Sequence, residues 1–401
     1  MTENNRNTET RHLNAAERRT VAVVGALYGV RMLGLFMLLP VLALYAEGLQ
    51  GASLFLAGIA VGAYGLTQAL LQIPVGVLSD RYGRVPVILT GLAIFACGSV
   101  VAATSTTIGG VIAGRALQGA GAIAAALTAL LADATRDELR TRAMAVIGMC
   151  IGGSFVVSLV AGAPLAALIG VAGLFWVTAA LAAGAMLLVL AALPAEARAA
   201  QRKARLSLAG LQRAIRDPRL LELDFGIFIL HLILTATFTA VPFLLRDGLG
   251  IAPDRQWALF LGAIAMSLAG TVALVLWTER GARPSRPFTI AVAGLAGALL
   301  LLAAAPASIA VTAAALTVFF AAFNFLEARL PARLAGFAPV DARGAALGVY
   351  ASAQFLGVFA GGALGGLLLE QRGPAGVFLL GAAAATAWTA WTASQIRKSG
   401  R

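Results

Sequence analysis

Four ionisable side chains lie inside long apolar stretches of the sequence: Arg31, Arg115, His231 and Glu327. In the middle of a membrane each charge costs at least ~2.5–3.5 kcal/mol unless it faces water or a partner. Poor solvation raises the proton affinity of a carboxyl group, and a nearby arginine lowers it again. We therefore predict that Glu327 carries a proton, with His231 as the second candidate and the two arginines adjusting the site. The alternative for each residue is a structural ion pair or hydrogen bond.

The composition predicts an integral membrane protein. The chain has 401 residues, of which 60% are hydrophobic and only 12% are charged, and its mean hydropathy is +0.88. A soluble domain carries about 25% charged residues. Apolar runs long enough to cross the hydrocarbon recur along the whole chain. They predict an all-α membrane protein with twelve transmembrane helices at 20–46, 53–78, 86–104, 107–131, 142–168, 171–193, 220–246, 256–278, 286–304, 308–333, 343–369 and 374–395.

The basic residues predict the orientation. Of the 30 lysine and arginine residues, 25 fall in tails and loops that are cytosolic if both termini are inside. The opposite loops hold three, Arg246, Arg255 and Arg372. This bias predicts cytoplasmic termini in a cell inner membrane. It also accounts for the net charge of +12 without nucleic acid as a partner, and it favours contact with anionic lipids at the cytosolic face.

The sequence divides into two related halves. DRYGR at 80–84 has a weaker counterpart in ERGAR at 279–283, and AMAV at 143–146 corresponds to ALGV at 346–349. Two matches at an offset of about 200 residues favour two pseudo-symmetric six-helix bundles, as in many secondary transporters. The polar start lacks the apolar core of a secretory signal. The predicted parts are an N-terminal cytosolic tail at 1–19, bundles at 20–193 and 220–395, a cytosolic linker at 194–219 and a C-terminal tail at 396–401.

The loop between the second and third spans concentrates charge in a chain that otherwise avoids it. It reads GVLSDRYGR at 76–84, in which a glycine allows a tight turn. Asp80 shares a membrane face with the start of span 11 near Ala342, whose partial positive charge favours a carboxylate. We predict a gating latch between the halves formed by Gly76, Asp80, Arg81, Gly83, Arg84 and Asp133, with Arg84 pairing with Asp133. The alternative is a positive-inside anchor of solvated charges.

The pattern G-x-x-x-D-R-x-G-R in this loop resembles the signature loop of the major facilitator superfamily. RALQGAGAIAAA at 115–126 resembles the Arg-x-x-Gln-Gly motif of proton-coupled members, while 31–53 and FNFLEARLP at 323–331 are similar to the YajR-like branch of drug:proton antiporters. The resemblance covers essentially the whole chain and implies proton-driven export of a drug-like molecule. At 162–164 the sequence is Gly-Ala-Pro where antiporters have adjacent Gly and Pro. A proton symporter or a uniporter that imports a small solute therefore remains the alternative.

Polar residues at helical spacing predict the lining of a central cavity. Tyr64, Gln68 and Gln72 are four residues apart in span 2, and His231 and Thr235 repeat this spacing in span 7. The apolar remainder of the cavity suits a small amphiphilic substrate. The alternative is a set of hydrogen bonds between helices. The predicted substrate-cavity residues are Tyr64, Gln68, Gln72, Gln118, Thr235, Asn324, Tyr350 and Gln354.

The sequence contains no motif for ATP hydrolysis or metal catalysis. It has neither a G-x-x-x-x-G-K-[ST] phosphate loop nor an H-E-x-x-H pair, and its two cysteines, Cys97 and Cys150, both fall within predicted spans. We therefore expect a monomeric transporter of a small molecule and protons, with no cofactor, no metal and no catalytic residues. The proton gradient would supply the energy, and the protein would not be an enzyme.

Overall fold

The computed structural model describes residues 13–199, 208–280, 285–304, 308–339 and 342–399. Ten helices in these ranges are long and apolar enough to cross a membrane. The sequence-predicted tails and linker lie partly outside the described residues, at 1–12, 200–207 and 400–401, as does the end of the ERGAR segment at 281–283.

The first part of the chain, residues 13–199, is mainly helical. Its helices are α1 (Ala15–Phe36), α2 (Leu42–Glu47), α3 (Leu54–Tyr82), α4 (Arg84–Thr104), α5 (Ile108–Ala120), α6 (Ala124–Asp133), α7 (Arg140–Ala192) and α8 (Ala195–Ala199). In the packing of this part, α1 contacts α7, α3 contacts α5, and α4 contacts both α5 and α7.

The second part of the chain is helical as well. Its helices are α9 (Leu208–Ala214), α10 (Pro218–Phe243), α11 (Gln256–Arg280), α12 (Ser285–Ala304), α13 (Ile309–Phe337) and α14 (Arg343–Ser399). A single π-helical turn at Leu244–Gly248 continues α10. Within this part α13 contacts α10, α11 and α12, and α14 contacts α10 and α12.

Two of the ten membrane-length helices each contain a glycine that leaves helical geometry. In α7 this residue is Gly170, with φ 73° and ψ 167°, and in α14 it is Gly373, with φ 66° and ψ −171°. A positive φ is strained for residues with a side chain, so glycine fits both positions. The 53 residues of α7 would be roughly 80 Å long as one straight helix, far more than a membrane requires. Both glycines lie where the sequence predicts a boundary between two spans.

Two spans predicted as continuous helices are interrupted in the structure. The first breaks between Phe36 and Leu42, and Pro40 inside this segment is the signal in the sequence for the break. Gly162 of α7 lies against this break, because a Cβ there would be 2.6 Å from the Met37 carbonyl oxygen. The fourth span breaks between α5 and α6.

Close packing of glycines joins the two parts of the chain. A Cβ at Gly58 of α3 would lie 2.2 Å from the Gly362 carbonyl oxygen of α14, and one at Gly65 would lie 2.5 Å from that of Phe355. Neither position can accept a side chain without moving a backbone. Small residues at such contacts let helices approach closely in a membrane.

The two ends of the helical assembly carry different ion pairs. At one end, which we call the Glu47 face, Arg246 Nη1 lies 2.7 Å from Glu47 Oε2, and the Phe55 backbone N–H donates to Glu370 at 2.8 Å. Both contacts join the first part of the chain to the second. At the opposite end, the Asp80 face, the Glu17 carboxylate lies 2.9 Å from Arg136 within the first part.

Candidate functional site

Gln354 contacts two other polar side chains in the second part of the chain, and the three side chains lie on three different helices. Its amide nitrogen on α14 lies 2.8 Å from His231 Nε2 on α10 and 3.3 Å from Glu327 Oε1 on α13. The other carboxylate oxygen of Glu327 is 3.8 Å from His231 Nε2. His231 is buried and packs edge-on against Phe323, whereas Glu327 is partly exposed. We call Gln354, His231 and Glu327 the acidic cluster.

The hydrogen bonds of the acidic cluster define the tautomer of the histidine. Its Nδ1 lies 3.3 Å from the Ile227 carbonyl oxygen, which can only accept, so Nδ1 carries a hydrogen. With the Gln354 amide nitrogen facing it, Nε2 then acts as the acceptor. A protonated ring would place two donors against each other, unless the amide rotates and presents its oxygen. That oxygen would face Glu327, so the proton occupancies of the two groups are linked through Gln354.

Two further polar groups near the acidic cluster have no hydrogen-bond partner. Asp224 of α10 is 6% exposed and its Oδ1 is unpaired, as is the hydroxyl of Tyr350 on α14. The Tyr350 hydroxyl lies in the electrostatic field of both Asp224 and Glu327. The sequence predicts Tyr350 as a site residue but misses Asp224. The available signal is its position two turns before His231, on the same helix face.

The first part of the chain has a different polar centre, built on two arginines. Arg31 of α1 donates from Nη2 to the Tyr64 hydroxyl at 2.9 Å and to Gln68 Oε1 at 2.7 Å. Arg115 of α5 donates to Gln118 Oε1 at 2.8 Å, and more weakly to the Ala60 and Val61 carbonyls. Both guanidinium groups lie near the Tyr64 ring, with Cζ 5.9 Å and 5.3 Å from its centre. We call Arg31, Arg115 and Tyr64 the arginine cluster.

Most of the cavity residues predicted in the first part of the chain form hydrogen bonds with these arginines or with their partners. Gln68 accepts from Arg31 and donates to Gln72 at 2.8 Å, while Gln118 accepts from Arg115 and donates to Ser99 at 2.8 Å. These side chains and that of Tyr64 are buried. In the second part, Thr235 is buried and Asn324 is half-buried. Contact of any of them with a substrate stays a prediction.

The charged loop at the Asp80 face is organised around Arg84. Its guanidinium pairs with Asp80, and it lies 3.1 Å from Asp133 Oδ2 and 2.7 Å from Ser79 Oγ. Gly83 makes the turn with φ 96°, and the Gly76 carbonyl oxygen accepts from the Ser79 hydroxyl. Arg81 stacks near Tyr82 at 5.4 Å.

The expected contact between Asp80 and the start of α14 is not made among the described residues, which leave out 340–341. The carboxylate pairs with Arg84 instead, one helical turn away.

At the same face, hydrogen bonding to Glu17 raises the pKa of Arg136 above its usual value. Its Nε and backbone N–H both donate to that carboxylate.

The comparisons with known proteins agree with this architecture. The sequence profile of the Major Facilitator Superfamily matches residues 24–338. The Inner membrane transport protein YajR of Escherichia coli (strain K12) is 41% identical over 377 residues, which are 94% of this chain and 83% of that protein. The class C tetracycline resistance protein of Escherichia coli is 36% identical over 112 residues, 28% of each chain. A crystal structure of a mutant of the nucleoside transporter NupG superposes with a TM-score of 0.73 at 14% identity, covering 94% of this chain and 99% of that one.

The chain therefore belongs to the major facilitator superfamily. It is a multi-pass membrane transporter and not an enzyme. The family resemblance predicted from the DRYGR loop is confirmed.

Proposed function

We propose that this protein exports a small amphiphilic or drug-like molecule from the cytoplasm in exchange for protons, by alternating access. We infer twelve spans in two six-helix bundles. The positive φ of Gly170 and Gly373, between predicted spans 5 and 6 and between predicted spans 11 and 12, supports this count. The helix contacts within each part and the glycine contacts between α3 and α14 support two bundles that move relative to each other.

The observation that carries the proposal is the acidic cluster. Glu327 is partly exposed, and one of its oxygens is buried without a hydrogen-bond partner. A carboxyl group so placed takes up a proton when its surroundings lose water and releases it when water returns. Because Glu327 and its two neighbours lie on three different helices, a relative shift of α10, α13 and α14 changes both its solvation and its hydrogen bonds. Loading and unloading the proton is thereby coupled to the conformation.

The loop at the Asp80 face provides the gating step. In the structure the carboxylates of Asp80 and Asp133 both lie against Arg84, which holds α3, α4 and α6 together. When the second bundle closes on this face, Asp80 is free to turn toward the start of α14, whose backbone N–H groups favour an anion. The Glu47–Arg246 pair would open in that state.

The proposed direction of transport rests on the relatives of this chain and on the distribution of its basic residues. The YajR and tetracycline resistance relatives favour a transporter of the efflux type in an inner membrane. The distribution of basic residues supports a cytoplasmic Asp80 face and cytoplasmic termini. Reporter fusions after residue 205 and at the C-terminus test this orientation, and an external reporter at either site would contradict it.

The experiment that tests the proposal is transport into inside-out membrane vesicles. A panel of anionic, neutral and cationic amphiphiles is first screened for exclusion from an efflux-deficient host that produces this protein. With any compound so found, acidifying the vesicle interior should drive its accumulation. Glu327→Gln, which mimics the protonated carboxyl, should abolish accumulation driven by the gradient while binding persists.

Glu279→Gln is the matched control, because Glu279 is an exposed acid at the end of α11. It should accumulate the compound like the wild type. Wild-type vesicles that accumulate no member of the panel would overturn export. Accumulation by Glu327→Gln at the wild-type level would place the proton carrier elsewhere, with His231 the next residue to test.

A further inference from the structure

The arginine cluster has positive charge without a matching negative charge. Arg31 is 1% exposed and Arg115 is 4% exposed, and their hydrogen-bond acceptors are a phenol, two amide side chains and backbone carbonyls. Within residues 13–199 neither arginine contacts a carboxylate. The acids of this part that form ion pairs, such as Glu17, Asp80 and Asp133, belong to the Asp80 face.

Arg31 also has N–H donors that lack an acceptor. Its Nε and Nη1 are buried and have no hydrogen-bond partner, although the fork of a guanidinium presents five N–H groups. The side chain lies between two rings, with Cζ 5.8 Å from the centre of Phe95 and 5.9 Å from that of Tyr64. Aromatic faces attract a cation, but they do not neutralise it. Nε and Nη1 lie on different edges of the guanidinium, so each is a separate buried donor without an acceptor.

Arginine cannot remove this imbalance by losing its proton, since the guanidinium stays charged in proteins. A buried carboxyl group can become neutral, but the arginine cluster requires a counter-ion. An organic acid group such as a carboxylate or sulfonate supplies both the missing negative charge and an oxygen acceptor that a charged donor binds strongly. The neighbouring aromatic rings suit an apolar body attached to that anion.

We propose that the transported substrate is an organic anion whose acidic group accepts a hydrogen bond from one of the unpartnered donors of Arg31. Arg115 adds positive charge beside the same Tyr64 ring, and the ring of Phe95 contacts the apolar body. This inference deepens the proposed function, since it names the substrate class of that transporter. It requires no proton gradient, so its test stands apart from the test of export.

The experiment measures equilibrium binding to the full-length protein in lipid nanodiscs. The probes are naphthalene-2-sulfonate and naphthalene-2-sulfonamide, which share a ring system and differ in charge. A ligand that binds only the folded state raises the thermal unfolding midpoint. The sulfonate should raise this midpoint and the sulfonamide should not. Arg31→Gln should weaken sulfonate binding roughly 30-fold or more, and Arg31→Lys should retain part of it.

Controls separate the site from other causes of stabilisation. Arg255→Gln removes an exposed arginine at the Glu47 face and should bind the sulfonate like the wild type. Sodium sulfate is the inorganic arm, and an equal shift that depends on Arg31 would make this a site for small inorganic anions and overturn the substrate claim. Equal shifts with sulfonate and sulfonamide, or no shift with the sulfonate, would also overturn it. If Arg31→Gln does not fold, the affinity of Arg31→Lys for the sulfonate is compared with that of the wild type. An equal affinity would then overturn the proposal.

Discussion

The polar centres of the two parts of the chain carry opposite kinds of charge. In the arginine cluster the charge is permanent, because Arg31 and Arg115 stay protonated and contact neutral groups. The acidic cluster instead consists of side chains of titratable types, since Glu327 and His231 both contact Gln354. A fixed charge can select a ligand at any pH, whereas a variable charge can couple to a proton gradient. We infer that the first part selects the substrate and the second part couples its movement to protons.

The division between the clusters predicts two different pH responses, and this is the largest effect we expect. Arg31→Gln should weaken binding of an anionic substrate by a similar factor at every pH, since no titrating group is removed. The loss is roughly 30-fold or more, because truncating one partner of a buried charge pair costs about 2–5 kcal/mol. Glu327→Gln should instead keep the affinity and flatten the pH dependence of transport.

Binding and transport rates measured between about pH 5 and pH 8, the range in which an unperturbed histidine changes its charge, test this difference. If Arg31→Gln changes the shape of the pH profile as strongly as Glu327→Gln does, the two clusters act as one unit. The proposed division between selection and coupling would then be wrong.

The Asp80 loop is a third charged group, in which acid and base are already paired. Asp80→Asn keeps the Arg84–Asp133 contact, so the protein should fold and bind substrate normally. Turnover should slow roughly tenfold, which corresponds to about 1.4 kcal/mol in the barrier between conformations. The measurement is the transport rate at saturating substrate for purified protein. A wild-type rate would remove this loop from the gating step.

Gln354 provides the smallest and most specific change. Gln354→Leu removes the donor that faces both His231 and Glu327. The ionised carboxylate loses a hydrogen bond, so the pH of half-maximal transport should rise. The shift should be at most about one unit, since a hydrogen bond contributes about 1 kcal/mol and one pH unit corresponds to about 1.4 kcal/mol. Gln354→Glu places a second carboxyl group beside Glu327, and repulsion between like charges should also raise the pH of half-maximal transport. An unchanged midpoint in both variants would exclude the link.

Local chemistry allows several features to be predicted from the sequence. The breaks at Gly170 and Gly373 fall between predicted spans, because a glycine separates two apolar runs there. The Arg84–Asp133 contact follows from two charges placed at the same ends of neighbouring spans. Gly83 likewise adopts the positive φ that a tight turn requires.

The arginine cluster could not be predicted in the same way. Arg31, Tyr64 and Arg115 belong to three helices, and their meeting depends on how each helix is rotated about its axis. Hydrophobic runs that face lipid on one side and protein on the other define this rotation weakly. Asp224 was missed for a related reason: an acid near the end of a span resembles an interfacial residue until its burial is known.

The central claim is that Glu327 gains and loses a proton while the arginine cluster does not change its charge. Infrared difference spectroscopy of the protein in membranes measures this directly, through the carbonyl stretch of protonated carboxylic acids during a pH titration. The account predicts one titrating carboxyl that is present in the wild type and in Arg31→Gln and missing in Glu327→Gln. An identical titration in wild type and Glu327→Gln would contradict it.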